Sequence, residues 1–379
     1  MEQRLELDPE TFLAEYWQRE PLVLSQAVTD FKPPVDADTL AGAALEDGVD
    51  ARILTSDDGE WKQLQGPFRP VDFERTGSWT LLVQEIDQLW EEAADLLQLV
   101  GFLPNWRLSD VMMSYATDGA SAGPHFDLYD VFIIQGEGER VWQLGQRCDE
   151  ATKLLPNQDL KILHSFKCEE EHVLRCGDLL YIPPGVAHWG VSRGESTSYS
   201  IGCRAPRISD LLARATDYLL DDISPSLLWA DPKRSMGRVS GQISDHDVSL
   251  LREQLSTCLE HLSVSALGEV VTGSLSHRAG EPDGEDAIDS IDFSVDGELR
   301  LDRPSSIAWY RDEGQLLVFA NGETITAPAT AEPVIRALCS GKGVRTDEVQ
   351  KLDSRSRATV KQALQLQALV FHSSDDIHE

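Results

Sequence analysis

Basic residues are in short supply in this chain: 33 Lys and Arg stand against 65 Asp and Glu in 379 residues, a formal net charge of -32. A surface that tracks phosphate backbones needs clustered cations, so direct nucleic-acid binding is excluded as an expectation. Cysteine is sparse as well. The six (Cys148, Cys168, Cys176, Cys203, Cys258, Cys339) are scattered and form no CxxC pair, which argues against a disulfide scaffold and for free thiols in a reducing compartment. No apolar run approaches the roughly 20 residues that span a bilayer. The opening Met1-Glu2-Gln3-Arg4-Leu5-Glu6 lacks the basic-then-apolar layout of a secretory leader. The expected setting is therefore cytoplasmic, away from membranes. What the chain does have is length for two or three domains and an excess of acid. That acid favours a basic partner through complementary potential. A solvation adaptation to a salty cytoplasm is the other reading, and the two are compatible.

Two short segments concentrate the chemistry. Gly123-Pro124-His125-Phe126-Asp127 offers an imidazole and a carboxylate at i and i+2, a spacing that puts both on one face of an extended strand and within reach of one metal ion. Gly177-Asp178-Leu179-Leu180-Tyr181-Ile182-Pro183-Pro184-Gly185-Val186-Ala187-His188 adds a third donor. Gly177-Asp178 reads as a turn, Leu179 to Ile182 as a buried strand, Pro183-Pro184-Gly185 as a tight reversal, and His188 as an early residue of the next strand. Two histidines and one carboxylate occupy one face of an octahedral iron and leave the opposite positions for substrate and oxygen. Arg140, beyond the turn Gly136-Glu137-Gly138, is a candidate to grip a carboxylate bidentately. Ser114 on the preceding strand could add a hydroxyl to the same carboxylate. The plain alternative for Arg140 is an exposed strand arginine paired with Glu137 or Glu139.

Around these segments, short apolar runs from Asp110 to Cys203 suggest a double-sheet barrel, with Gly136-Glu137-Gly138 as a hairpin turn between two of its strands. Asp8-Pro9-Glu10 signals the start of a short helix that leads into an edge strand at Leu22-Val23-Leu24. Leu82, Ile86, Leu89 and Trp90 recur at helical spacing and place an amphipathic helix within Trp79 to Leu99. Beyond Ile208 two helices carry leucine-rich stripes, Leu211 to Leu219 and Val248 to Leu262, which read as core or as the seam of a homodimer. An acidic linker at Ala279 to Asp289 precedes strands, an Asn321-Gly322 hairpin, and helices near Ala331 to Cys339 and Arg355 to Phe371. From Glu281 onward the chain holds 10 basic and 19 acidic residues, a poor match to duplex DNA.

The combination of Phe12 to Leu24, Gly123 to Asp130, Val131 to Gly136, Trp142, Gly177 to His188 and Tyr199 to Pro206 resembles the bacterial ribosomal oxygenases of the Jumonji-C group, relatives of ribosomal histidine hydroxylases. The resemblance implies an α+β protein. Its parts would be a JmjC jelly roll of the cupin class with N-terminal helices over 1–206, a helical dimerisation region over 207–278, and a C-terminal winged-helix-like domain over 279–379. It further implies an iron(II) and 2-oxoglutarate dependent dioxygenase, with O2 as second co-substrate, that hydroxylates an arginine of a basic large-subunit ribosomal protein. His125, Asp127 and His188 match the iron ligands, and Ser114 and Arg140 match positions that hold the far carboxylate of 2-oxoglutarate. Two features depart from the family pattern: Asp118 to Ala122 is poorer in glycine, and Ser198 stands in place of Asn. The alternatives are a histidine hydroxylase, a cupin metal protein without oxygen chemistry, and a non-catalytic acidic adaptor.

Overall fold

The computed structural model describes residues 4–57, 59–156, 160–203, 205–224, 226–232, 241–275, 293–302 and 305–373. The chain divides into two compact units, Met1–Ala205 and Pro206–Glu379. No helix among the described residues is long and apolar enough to cross a membrane. The acidic linker expected at Ala279 to Asp289 lies outside the described residues.

The described residues of the first unit form eleven strands: β1 (Leu22–Leu24), β2 (Ala51–Asp57), β3 (Glu60–Gln65), β4 (Trp79–Val83), β5 (Leu108–Ala116), β6 (Asp130–Gln135), β7 (Glu139–Arg147), β8 (Cys168–Arg175), β9 (Leu179–Ile182), β10 (Val186–Arg193) and β11 (Ser196–Cys203). They form an eight-stranded sheet in the order β1-β9-β6-β11-β5-β4-β2-β3 and a facing three-stranded sheet, β10-β7-β8. Strands β6 and β9 are buried along their whole length, which is why their sequences read as continuous apolar runs rather than alternating ones. One face carries Val131, Ile133, Leu180 and Ile182 into a cluster with Trp142, Leu144 and Leu174 of the smaller sheet. The other face carries Phe132 and Tyr181 against Phe12 and Trp17 of the N-terminal segment, with the rings of Phe12 and Tyr181 4.8 Å apart.

That N-terminal segment begins as its sequence signals. Asp8 accepts a hydrogen bond from Thr11 N at 3.1 Å, and Pro9 opens the helix Pro9–Glu15. The thread then docks through buried Asp130, which accepts from Gln18 Nε2 at 2.9 Å and from the Tyr181 hydroxyl at 2.6 Å. Strand β1 follows as the edge of the large sheet, paired with β9.

Two local expectations are corrected. The amphipathic helix expected within Trp79 to Leu99 does not run from Leu82 to Trp90: Leu82 belongs to strand β4 (Trp79–Val83), held between β2 and β5, and the short helices Ile86–Leu89, Glu91–Ala94 and Leu96–Leu99 follow. Glu85 at φ 55° and extended Trp90 at φ -137° break the helical run that the leucine spacing mimics. Nor is Gly136-Glu137-Gly138 a hairpin turn, because β6 and β7 lie in different sheets. It is a crossing from one sheet to the other. Gly138 has φ +70°, and a Cβ there would lie 2.1 Å from the Glu195 carbonyl oxygen. Close approach to β11, not turn chemistry, requires glycine at this point.

In the second unit, helices Ile208–Asp222, Asp245–Glu260 and Val264–Leu275 precede strands β12 (Gly297–Leu301), β13 (Ile307–Asp312), β14 (Gln315–Ala320), β15 (Glu323–Pro328), β16 (Val344–Arg345) and β17 (Leu369–Ser373). The Asn321-Gly322 turn joins β14 to β15 with both residues at positive φ, the hairpin expected from the dipeptide. Val264–Leu275 packs on this hairpin: Ser265 Oγ meets Thr324 Oγ1 at 2.7 Å, and Gly322 N donates to Thr272 Oγ1 at 3.2 Å. The last helix, Ser354–Gln365, stops short of the expected Phe371. Gln367 turns to φ 53°, and Leu369–Ser373 pairs with β12 instead.

Gly138→Ala is expected to lower folding stability by more than about 2 kcal/mol, since it combines a left-handed φ with a backbone clash. The midpoint of urea unfolding measures this; a variant as stable as the parent would mean that the crossing can move away from β11.

Candidate active site

The small sheet and one irregular strand build the site. Residues 119–127 run antiparallel beside β10: Gly119 N donates to Ser192 O, Ser192 N to Ala120 O, and Gly185 N to Asp127 O at 2.7 Å. In the middle, His125 and His188 face each other as a bridged pair, His125 N donating to His188 O at 3.1 Å and His188 N to His125 O at 2.8 Å. The expected extended strand at His125 is thus reduced to isolated bridges, but its consequence for side-chain direction is the same. Gly185 stands at φ +79°, where a Cβ would lie 2.7 Å from the Cys148 carbonyl oxygen. The reversal that returns the chain to His188 therefore depends on glycine. A β-bulge between Val186 and His188 sets the histidine's aim.

His125, Asp127 and His188 each offer one donor atom, and the three atoms lie within 4.8 Å of one another. The imidazole rings are 4.3 Å apart, and His188 Nε2 is 3.6 Å from Asp127 Oδ2. Each histidine uses Nδ1 locally: His125 at 2.8 Å from Gly123 O, His188 at 3.0 Å from Val186 O. A backbone carbonyl accepts only from N–H, so both rings carry the proton on Nδ1 and turn a free Nε2 lone pair to the centre. Burial, with the neighbouring His125, holds the His188 pKa down to about 4. At neutral pH the ring is unprotonated, the form in which an imidazole can ligate a metal. Three donors converging from one side, with protons already directed elsewhere, are suited to a divalent transition metal with open positions opposite.

Arg140 sits deep in the same interior. On paired strands β7 and β10, Arg140 lies opposite Ser192, Trp142 opposite Gly190 and Leu144 opposite His188. Steps of two keep all of them on the face that carries His188. The Arg140 side chain is buried, and among the described residues no carboxylate comes within ion-pair distance of it. Glu139, its neighbour, turns outward to Arg175 at 2.9 Å and Arg193 at 3.9 Å, so the surface-pair alternative for Arg140 is not what the structure contains. Its donors go to serines: Nη1 to Ser114 Oγ and Ser198 Oγ at 2.8 Å each, Nε and Nη2 to Ser196 Oγ at 3.2 and 3.1 Å. Ser192 Oγ joins Ser196 Oγ at 2.7 Å. Burial lowers the guanidinium pKa to about 10, which leaves it charged at neutral pH. Hydroxyls satisfy its geometry but not its charge. Burying an ion without a counter-ion costs several kcal/mol, so the pocket is built for an anion.

Sequence reasoning singles out Ser114 and Arg140 but misses Ser192 and Ser196, and it treats Ser198 only as a departure from a pattern. All three lie on β10 or β11 with side chains on the Arg140 face. Nothing local marks them, because cross-strand register decides which serines converge. Leu128 and Tyr129, next to Asp127, are exposed and carry apolar and aromatic surface at the edge of the metal-binding segment.

Comparison with known proteins extends the picture. Residues 95–211 match the JmjC domain model, and residues 258–369 match that of the ROXA-like winged helix. The chain is 34% identical over 345 residues to Ribosomal protein uL16 3-hydroxylase of Escherichia coli (strain K12), covering 90% of this chain and 91% of that protein. It is 30% identical over 362 residues to a Probable ribosomal oxygenase of Haemophilus influenzae, covering 89% and 87%. Among solved structures it resembles E. coli ycfD, with a TM-score of 0.80 at 30% identity over 98% of this chain and 100% of that one. It also resembles YcfD in complex with cobalt and 2-oxoglutarate, with a TM-score of 0.78 at 27% identity and the same coverage.

The His188 shift has a sign that can be checked. The ring is neutral when folded and takes up a proton near pH 6.5 when unfolded, so acid favours the unfolded chain. For the metal-free protein, the His188 contribution is constant above about 6.5 and stability is lost as pH falls from there toward 4. His188→Gln should flatten this slope in urea midpoints taken from pH 7.5 to 4.5; an identical slope would assign the loss to other groups.

Proposed function

The chain belongs to the bacterial ribosomal oxygenases of the JmjC group, and from that membership we propose that it is an iron(II) and 2-oxoglutarate dependent oxygenase hydroxylating an arginine side chain of ribosomal protein uL16. The observation that carries the reading is the pairing, inside one barrel, of a His-Asp-His trio with a buried guanidinium that has no counter-ion among the described residues. A dicarboxylic acid with a chelating keto-acid end and a free far carboxylate answers both needs.

In this reading His125 and His188 hold iron through Nε2 and Asp127 through a carboxylate oxygen. Arg140, with Ser114 and Ser198, receives the far carboxylate and so fixes the direction in which 2-oxoglutarate enters. When bound, iron(II) supplies activation of O2, coupled to oxidative decarboxylation of 2-oxoglutarate to succinate and carbon dioxide and to insertion of one oxygen atom into a C–H bond. The protein's part is ligation, orientation and exclusion of water. Neither histidine needs to shuttle protons, since each Nδ1–H is committed to a carbonyl. Exposed Leu128 and Tyr129 border the approach to the metal-binding segment and suit the aliphatic stem of a long cationic side chain. The net charge of -32 supports a basic protein as substrate, in a cytoplasmic setting.

We further assign residues 1–206 to catalysis, 207–278 to dimerisation and 279–379 to a winged-helix-like domain that does not bind nucleic acid. Leu212, Leu251, Leu255 and Leu259 are exposed on the helical segment, an apolar surface suited to a homodimer seam. Light scattering should give twice the chain mass, and Leu255→Asp should halve it; a monomeric parent removes the assignment.

With iron(II), 2-oxoglutarate and uL16, the enzyme should form succinate and add the mass of one oxygen to an arginine-containing peptide. His125→Ala should abolish both and lose the metal. Oxygen found on a histidine instead would move the target to the other class of ribosomal hydroxylase. Arg140→Met should raise the apparent KM for 2-oxoglutarate at least tenfold while leaving ligand-free stability intact or higher, because it removes an uncompensated charge. An unchanged KM would move that role to another residue.

A further inference from the structure

The two bridges that tie residues 119–127 to β10 do not share one register. Ser121 lies opposite Val191 and His125 opposite His188, so four steps along the irregular strand match three along β10. One extra residue is absorbed between the bridges, as in a β-bulge. It decides which face the ligand takes. His188 and Ser192 point into the barrel from a regularly paired stretch of β10, so Trp189 and Val191 point out of it. Ser121, opposite Val191, shares that outer side. Strict alternation would leave His125, an even number of residues further on, outside as well. The bulge turns it inward.

Gly123 accommodates the extra residue. Its φ is +81°, and a Cβ there would lie 2.5 Å from Ile162 Cδ1 and 3.0 Å from atoms of the Trp61 ring, so conformation and close packing both call for glycine. Its carbonyl and amide are each committed. Gly123 O accepts from His125 Nδ1 at 2.8 Å, and Gly123 N donates to Ser121 Oγ at 2.9 Å. The same hydroxyl oxygen accepts from Trp189 Nε1 at 2.7 Å. Trp189 is in turn steadied by Phe166, whose ring stands edge-on to it at a centroid distance of 5.9 Å. One oxygen thus fastens the bulge to the strand that carries His188. Ser121 belongs to the stretch Asp118 to Ala122 whose shortage of glycine is a departure in the sequence, and glycine at 121 would offer no such acceptor.

We propose that Ser121 is a positioning residue for the metal site: its hydroxyl, held by Trp189, fixes the bulge at Gly123 that turns the His125 imidazole inward and aims its Nε2. The proposal rests on the reading of His125, Asp127 and His188 as one metal site. Ser121 acts through the Gly123 backbone and touches neither the metal nor its ligands. Without that hydroxyl the bulge is free to change shape, and the imidazole samples orientations in which the three donors no longer converge.

The test uses the full chain, with Co(II) titrated into the metal-free protein and followed by the visible absorption of the bound ion. Ser121→Ala should bind Co(II) about tenfold more weakly, the scale of losing an outer-shell partner, and its absorption bands should shift. Ser121→Thr keeps the hydroxyl and should retain the parent's affinity and bands. Trp189→Phe keeps an aromatic ring beside Phe166 but removes the donor, and should move affinity and bands in the same direction as Ser121→Ala; it carries the test if the alanine variant does not fold. An alanine variant with the parent's affinity and bands would overturn the proposal while leaving the metal site in place. So would a threonine variant as impaired as the alanine one, because packing and not the hydroxyl would then be responsible. A parent protein that takes up no Co(II), or whose bands survive His125→Ala, would overturn the site reading as well.

Discussion

Two backbone hydrogen bonds between His125 and His188 are the constraint on which the rest of the site depends. Opposed residues of an antiparallel bridge share one side of the sheet, so this pairing alone brings the two imidazoles to a ring separation of 4.3 Å. Asp127 is then held by the same irregular strand, through its carbonyl and Gly185 N. The hydrogen bonds from Nδ1 use carbonyls two residues upstream in each strand, Gly123 and Val186. Position, tautomer and ring orientation thus come from the backbone, before any metal contributes. A centre organised in this way needs little rearrangement to take up an ion.

The barrel interior divides its physical labour by strand position. Val131 and Ile133 on β6 and Leu180 and Ile182 on β9 make one stretch dry and close-packed. Further along, Ser114, Ser196 and Ser198 surround a guanidinium. The apolar stretch raises the energetic stake of the polar one, because a charge in a low-dielectric surrounding interacts strongly with whatever counter-charge reaches it. Arg140 therefore stores a penalty in the free protein that an incoming carboxylate relieves. The smaller sheet brings these pieces together: β7 supplies Arg140 and β10 supplies His188, and their register keeps both on the inner face.

Much of this was legible in the residues. Gly177 to His188 announces a turn, a buried strand, a reversal and a ligand, and those elements occupy the expected places because each is encoded within a few residues. Asn321-Gly322 and Asp8-Pro9 are legible for the same reason. The failures share another cause. Trp79 to Leu99 carries apolar residues at helical spacing, yet Trp79–Val83 joins a sheet because β2 and β5 flank it, and the sequence within that window says nothing of those neighbours. Gly136-Glu137-Gly138 has the composition of a hairpin turn, but the glycine at 138 answers to Glu195, far along the chain. Ser192 and Ser196 are unremarkable serines until register sets them beside Arg140. Short-range chemistry is readable from sequence; which strands become neighbours is not.

The central claim, that one metal ion and one dicarboxylate share this interior, is tested most directly by a crystal structure of the protein with Mn(II) and 2-oxoglutarate grown without oxygen. The account predicts a single anomalous peak at His125 Nε2, His188 Nε2 and an Asp127 oxygen, with the keto-acid end of the ligand on the metal and the far carboxylate against Arg140 and Ser114. Metal bound elsewhere, or a ligand whose far carboxylate points to solvent while Arg140 keeps only its serines, would contradict it.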